Sequence, residues 1–319
     1  MAEAQRLTGE RVLVLLEPDF FGGRTLSGLS AAGLDVVALF LRQGRDWAAD
    51  RYLRRRNPSF SVSAFLERRD LSPGMLQGRH DWPRVLQTID DRGVTLLLNV
   101  HFPWRAPETV LSRLPARALN LHPALLPACR GPHPFAALLA DELADRHGGA
   151  TLHVMTPSFD AGAIVAQQAV PLGPTRDLIA WQLAIARAYA GLVGQPLVDY
   201  LAGRRAAVPQ DETQATHASI ADLAERLNLA EGLSAAEALR RAELFGQLRT
   251  LDVAAGGQRW RGMLPARVLG PPTGKPPRLG LWRLSFDVAD ARLSLRRRWP
   301  GAGRRQRRRL WRIVARACP

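Results

Sequence analysis

Residues 94 to 100 read VTLLLNV, an apolar run in which polar and apolar positions do not alternate. A strand with one wet face alternates, because successive side chains point to opposite sides. A continuous run belongs to a strand covered on both faces, as in a parallel sheet flanked by helices. The start of the chain points the same way. RVLVLL (Arg11 to Leu16) predicts a strand, a loop holding Gly22 and Gly23 leads into a helix ending near Gly33, and a second strand runs from Val36 to Leu41. That order is the opening of a βαβ unit.

The rest of the first 202 residues keeps the alternation. A helical stretch precedes Gly93, RALNLH makes another short strand, and Pro132 to Arg146 has helical spacing. ATLHVM and AIVAQQAV predict two strands around the turn TPSFDAG, and Thr175 to Leu201 predicts one long helix. The fold class is therefore α/β, a doubly wound, mostly parallel sheet of Rossmann-like type over residues 1–202. The polar stretch at 203–218 breaks the periodicity and is expected as a linker. A smaller C-terminal β-rich domain, barrel-like, is expected over 219–297. It opens with a helix near Ser234 to Phe245, where Ser234 and Glu237 fit a capping box.

Charge supports this division. The net charge is +15, but residues 292 to 319 hold eleven Arg and no acidic residue, leaving +4 for everything before them. The positive balance thus belongs to a basic tail at 298–319 and the strand before it. Such a tail suits contact with a polyanion, rest on an anionic membrane, or a solvated end. The run VLVLL is too short to span a bilayer, so no transmembrane segment and a cytoplasmic location are expected. Cys129 and Cys318 have no metal-binding spacing, and neither a metal site nor a disulfide framework is expected.

The chemistry-bearing residues fall at strand ends. Asn120 and His122, two apart on one strand, project to the same side at its carboxyl end, where open α/β sheets place their ligands. Pro123 and Pro127 stiffen the chain around the imidazole. Asp160, in a glycine-containing turn, can orient that imidazole and raise its pKa. On spacing alone, turn and capping roles for these residues stay open. His101, His133, His147 and His153 read as loop or core residues without a partner.

The segments NLHPALLPACRGPHP and GGATLHVMTPSFDAGAIVAQQAV resemble the signature of formyltransferases that use 10-formyltetrahydrofolate, the group that includes methionyl-tRNA, glycinamide ribonucleotide and sugar N-formyltransferases. The resemblance implies Asn120, His122 and Asp160 as the catalytic trio, 10-formyltetrahydrofolate as co-substrate, and no metal. It implies folate contacts from Phe102, Pro103, Trp104 and Arg105, whose other reading is a buried aromatic loop, and from the turn Thr156, Pro157, Ser158 and Phe159. Gly22, Gly23 and Arg24 either bind a phosphate or carboxylate of the acceptor or form a plain strand-to-helix turn.

The first loop, EPDFFGGRT, and the absence of a basic insertion after the second strand depart from the methionyl-tRNA enzymes. A small metabolite or sugar amine is therefore the expected acceptor, with tRNA as the alternative. Hydrolysis of formyltetrahydrofolate and a non-catalytic folate- or RNA-binding module are the remaining readings.

Overall fold

The structure, a computed structural model, describes residues 9–44, 47–217, 223, 226, 228–248 and 251–297. The arginine-rich tail at 298–319 lies outside the described residues.

Seven strands form the first sheet: β1 (Arg11–Leu16), β2 (Asp35–Arg42), β3 (Gly74–Leu76), β4 (Leu96–Val100), β5 (Ala118–His122), β6 (Gly149–Val154) and β7 (Ile164–Ala169), in the order β3-β2-β1-β4-β5-β6-β7. The first five strands pair in parallel, and β6 and β7 close one side antiparallel. β5 is buried along its whole length and β1 everywhere after Arg11. The period of two sorts their side chains into two apolar layers. Leu13, Leu15 and Leu97 pack with Trp82, Val85 and Ile89 of helix Trp82–Asp91. Val12, Val14, Leu96 and Leu98 belong to the other layer, with Leu26 and Leu29 of helix Phe20–Ala31 and Leu183 and Tyr189 of helix Leu178–Leu192.

The chain runs outward from β1 through β2 to β3, then returns to the other side of β1 for β4 and β5. At such a reversal the flanking connections part and leave a crevice at the carboxyl ends of the strands. Register places Asn99 of β4 directly beside Asn120 of β5 at that end.

Helices depart from the sequence expectation where long-range contacts intervene. Gly22 and Gly23 lie inside helix Phe20–Ala31, not in a loop, because Asp19 caps the helix early with its Oδ1 accepting from Gly22 N at 2.9 Å. Glycine is needed at 23 for close approach, since a Cβ there would sit 2.1 Å from the carbonyl oxygen of Phe60. The long helix expected from Thr175 to Leu201 is two helices, Leu178–Leu192 and Gln195–Leu201. Gly194 and Pro196 sit at the break, and proline has no N–H to continue the ladder. Pro132 to Arg146 likewise divides into Pro134–Ala140 and Ala144–His147.

Beyond residue 228 a second, mainly antiparallel sheet follows: β8 (Leu229–Ala230), β9 (Leu251–Ala255), β10 (Gln258–Gly270), β11 (Arg278–Leu279), β12 (Arg283–Asp287) and β13 (Arg292–Arg297), ordered β11-β12-β13-β10-β9-β8. Its helix is Ala235–Leu248, where Ser234 Oγ accepts from Glu237 N at 3.2 Å. The Glu237 carboxylate binds Arg240 and Arg241. The stretch expected as a linker is hydrogen-bonded to the first sheet, with Val208 bridging Ile164 and His217 bridging Arg130. Among the described residues no helix is long and apolar enough to cross a membrane.

Gly23→Ala tests the close approach. Helix propensity favours alanine by about 1 kcal/mol, whereas overpacking against backbone costs about 1–3 kcal/mol. Urea unfolding is expected to show net destabilisation, and a gain in stability would show that the helix and the Phe60 turn can separate freely.

Candidate active site

A cleft of about 610 Å³ opens at the carboxyl ends of β4 and β5. Asn99, His101, Asn120 and His122 line it from these strand ends, and His153, Thr156, Ser158, Phe159 and Asp160 line it from β6 and the turn after it. Phe102, Pro103, Trp104 and Arg105 line the opposite wall, and the Arg105 guanidinium lies over the Phe159 ring at 5.2 Å. Gly131 to Ala136 form a further wall, to which Leu223 is added from beyond the connecting segment.

One chain of hydrogen bonds determines the polarity of the site. The backbone N–H of Phe102 can only donate, so its acceptor at 3.2 Å is the Asn99 Oδ1. Asn99 Nδ2 then donates to Asn120 Oδ1 at 2.9 Å. This leaves Asn120 Nδ2 to donate to Asp160 Oδ1 at 3.2 Å and to His153 Nε2 at 3.0 Å. His153 Nε2 is thus an acceptor, and its proton sits on Nδ1, donating to Val154 O at 2.9 Å. His122 has the opposite tautomer, because its Nε2 faces the carbonyl of Cys129 at 3.0 Å and must donate. In the neutral ring, His122 Nδ1 carries a lone pair and points at Asp160 Oδ2, 3.5 Å away.

The electrostatics agree with that arrangement. Burial lowers the His122 pKa, with His153 adding to the effect, and this outweighs Asp160 and the Cys129 carbonyl, which favour the cation. The net shift is opposite to the rise expected from the sequence, because desolvation at 3% exposure dominates. Burial alone would raise the Asp160 carboxyl, but attraction to the cationic forms of His122 and His153, with the Gly131 N–H, which donates at 2.8 Å, lowers it below the usual carboxylate range. The resting pair is an ionised Asp160 beside a neutral His122. A proton arriving at Nδ1 would complete a bridge between the Cys129 carbonyl and the Asp160 carboxylate. Three of the seven described non-glycine residues with positive φ lie here, Asp160, Cys129 and His101, with φ of 53°, 57° and 58°.

The structure brings Asn120, His122 and Asp160 together, with the expected walls Phe102 to Arg105 and Thr156, Ser158 and Phe159. Pro157 is not among the lining residues, nor are Gly22, Gly23 and Arg24. Arg24 lies over the Phe60 ring at 5.4 Å, and the glycines are buried in their helix. Two histidines that the sequence left without partners have them. His153 faces Asn120 across the antiparallel β5–β6 register, and His101 Nε2 is 2.8 Å from the Tyr189 hydroxyl. The signal for His153 was its alternate position on a predicted strand, legible only once that strand's partner and direction are known. Among the described residues no cluster of three or more His, Cys, Asp or Glu could hold a metal ion.

Comparison with known proteins agrees with this geometry, and a formyl transferase family model matches residues 12–188. The chain belongs to this family. A methionyl-tRNA formyltransferase from Chloroflexus aurantiacus is 33% identical over 208 residues, which cover 65% of this chain and 64% of that relative. Among solved structures, the sugar 3N-formyl transferase WlaRD superposes with a TM-score of 0.56 at 12% identity, covering 90% of this chain and 97% of its own. Glycinamide ribonucleotide transformylase 1 from Symbiobacterium toebii gives 0.51 at 19% identity, covering 66% and 100%. At these identities the two structures show the shared fold.

His101 gives the fold a pH-dependent stability. Burial lowers its pKa to about 3, with His122 adding to the effect. The folded state therefore binds fewer protons than the unfolded state below the ordinary histidine pKa of 6.5. Its contribution is complete above about pH 6.5 and falls as the pH drops toward about 3, by at most about 1.4 kcal/mol per pH unit. Urea unfolding from about pH 7 to about pH 4 should show a shallower decline for His101→Phe than for the native chain. Parallel curves would contradict a buried neutral imidazole.

Proposed function

We propose that this formyl transferase moves a formyl group from 10-formyltetrahydrofolate to an amine of a small metabolite or sugar acceptor. The observation that carries the reading is the buried cluster in which Asn120, neutral His122 and ionised Asp160 meet at one end of the cleft. The flanking walls suit a planar heterocycle, with Phe102, Trp104 and Phe159 offering apolar faces. The cleft volume of about 610 Å³ falls within the range of about 300–1,000 Å³ found for small-molecule sites. That WlaRD was crystallised in the presence of 5-N-formyl-THF supports a folate donor.

Bound folate supplies the formyl carbon, and the chain supplies proton handling and charge stabilisation. His122 accepts at Nδ1 the proton released by the attacking amine, Asp160 stabilises the resulting imidazolium, and the proton passes to the folate N10 as the bond between N10 and the formyl carbon breaks, leaving the formylated amine and tetrahydrofolate. Asn120 turns one N–H toward the formyl oxygen as that oxygen gains charge. The bond it gives up is the one to His153, because a negatively charged oxygen is a stronger acceptor than a neutral imidazole.

The methionyl-tRNA formyltransferase relatives support a second reading, in which the acceptor is an aminoacyl-tRNA. The deciding experiment incubates the protein and 10-formyltetrahydrofolate with a panel of amino sugars and small primary amines, with methionyl-tRNA, and with buffer alone. A formylated small amine is expected. Formylation of methionyl-tRNA alone would establish the second reading, and formate release without any acceptor would establish hydrolysis.

Three substitutions follow from the proposed roles. His122→Ala and Asp160→Asn should each lower kcat by about 10²- to 10⁴-fold, with the double variant little worse than either. Multiplying losses would mean that the two residues act independently. Trp104→Ala should weaken binding of 5-formyltetrahydrofolate by about 1–3 kcal/mol in calorimetry. Unchanged affinity would remove the indole from the folate wall.

A further inference from the structure

Residues 208 to 216 run across the back of the site as a strap. Val208 exchanges both backbone hydrogen bonds with Ile164 at 2.8 Å, and Thr216 N donates to Pro127 O at 3.2 Å. The strap holds two residues of positive φ, Asp160 of the catalytic pair and Cys129, whose carbonyl faces its other member. Cys129, whose carbonyl takes the His122 Nε2–H, donates its own N–H to Thr216 Oγ1 at 2.8 Å. Asp160 is held from the other side. One amide group, Gln210 Nε2, donates to Asp160 O and to Gly162 O, both at 2.7 Å.

Gln210 is itself fixed by a buried cation. Arg130, 2% exposed, donates to Gln210 Oε1 through Nε at 3.1 Å and Nη2 at 2.8 Å. Its other contacts are to the Glu212 carboxylate, at 2.9 and 2.8 Å. The guanidinium therefore joins the loop that carries Cys129 to the strap, and the strap carries the amide that holds the turn of Asp160. A buried charge is stable only with partners of this kind, and here Gln210 is half-buried while Glu212 is 68% exposed.

We propose that Gln210 and Arg130 are positioning residues for formyl transfer, setting the separation of the Asp160 carboxylate and the His122 imidazole by clamping the backbone on both sides of that pair. This rests on the reading that Asp160 and His122 carry the transfer. Neither positioning residue touches the reacting atoms. They act through the main chain of Asp160 and Cys129, and a displacement of about 1 Å at such a pair costs about a hundredfold in rate.

The isosteric variant Gln210→Glu separates positioning from mere scaffolding. A glutamate keeps the oxygen that accepts from Arg130 and turns that hydrogen bond into an ion pair, so a residue that served only to tie the strap to Arg130 would leave turnover and the imidazole signals unchanged. It removes both N–H donors and sets a carboxylate against the carbonyls of Asp160 and Gly162, so a positioning role predicts a displaced Asp160.

The imidazole ¹⁵N signals of His122 and His153 report this directly, with Asp160→Asn marking the signals when the carboxylate is lost. In Gln210→Glu the His122 signal is expected to move toward its position in Asp160→Asn, with 5-formyltetrahydrofolate affinity retained within about threefold. With whichever amine the acceptor panel shows to be formylated, kcat should fall about ten- to a hundredfold while KM for the folate changes by less than about threefold. Gln210→Leu, which also lacks the donors, is expected to move the signal the same way and serves if the glutamate variant does not fold.

A His122 signal at its native position in a folded Gln210→Glu or Gln210→Leu protein overturns the proposal. If the native protein formylates none of the acceptors, it is the reaction that fails, and the imidazole signals still decide the positioning.

Discussion

The buried carboxylate of Asp160 is the interaction around which the rest of the site is arranged. A carboxylate taken out of water is stable only if its lone pairs are met, and this one is met by Asn120 Nδ2 and the Gly131 N–H, with His122 and His153 each 3.5 Å away. The groups around it come from three parts of the chain. The parallel strand β5 supplies Asn120 and His122, the antiparallel strand β6 supplies His153, and the loop after the prolines supplies Gly131. The sheet order is what makes this possible, because the reversal at β1 opens a crevice where β4 and β5 end together.

The same requirement explains the protonation pattern. Desolvation disfavours charge on both members of the pair, but the carboxylate has donors around it and the imidazole has a single carbonyl and one carboxylate. The charge therefore stays on Asp160, and His122 rests neutral with its Nδ1 open to a proton. A site of this kind suits a reaction in which an amine must lose a proton as it attacks. The cation that forms is stabilised where it forms, without rearrangement of water.

Much of this was legible in the sequence. The unbroken apolar runs announced strands covered on both faces, whereas the Asn-x-His spacing and Asp160 in a glycine turn left turn and capping roles open, and only the family resemblance joined them into a cluster. The elements that were not legible depend on contacts distant in sequence. Gly22 and Gly23 look like loop residues until the Phe60 backbone beside Gly23 is seen. His153 acquires its partner only through the β5–β6 register. The stretch PQDETQAT has the composition of a solvated linker, yet polar side chains that tie two loops together have that same composition, so Gln210 could not be told from a solvent-facing residue.

The central claim is that the cluster of Asn120, His122 and Asp160 receives a folate formyl group. A crystal structure with 5-formyltetrahydrofolate tests it most directly. The account predicts the pterin ring between the Trp104 wall and the Phe159 turn, with the formyl oxygen within about 3 Å of Asn120 Nδ2 and the formyl carbon facing His122. A ligand bound elsewhere, or one whose formyl group points away from the Asn120–His122–Asp160 cluster, would contradict it.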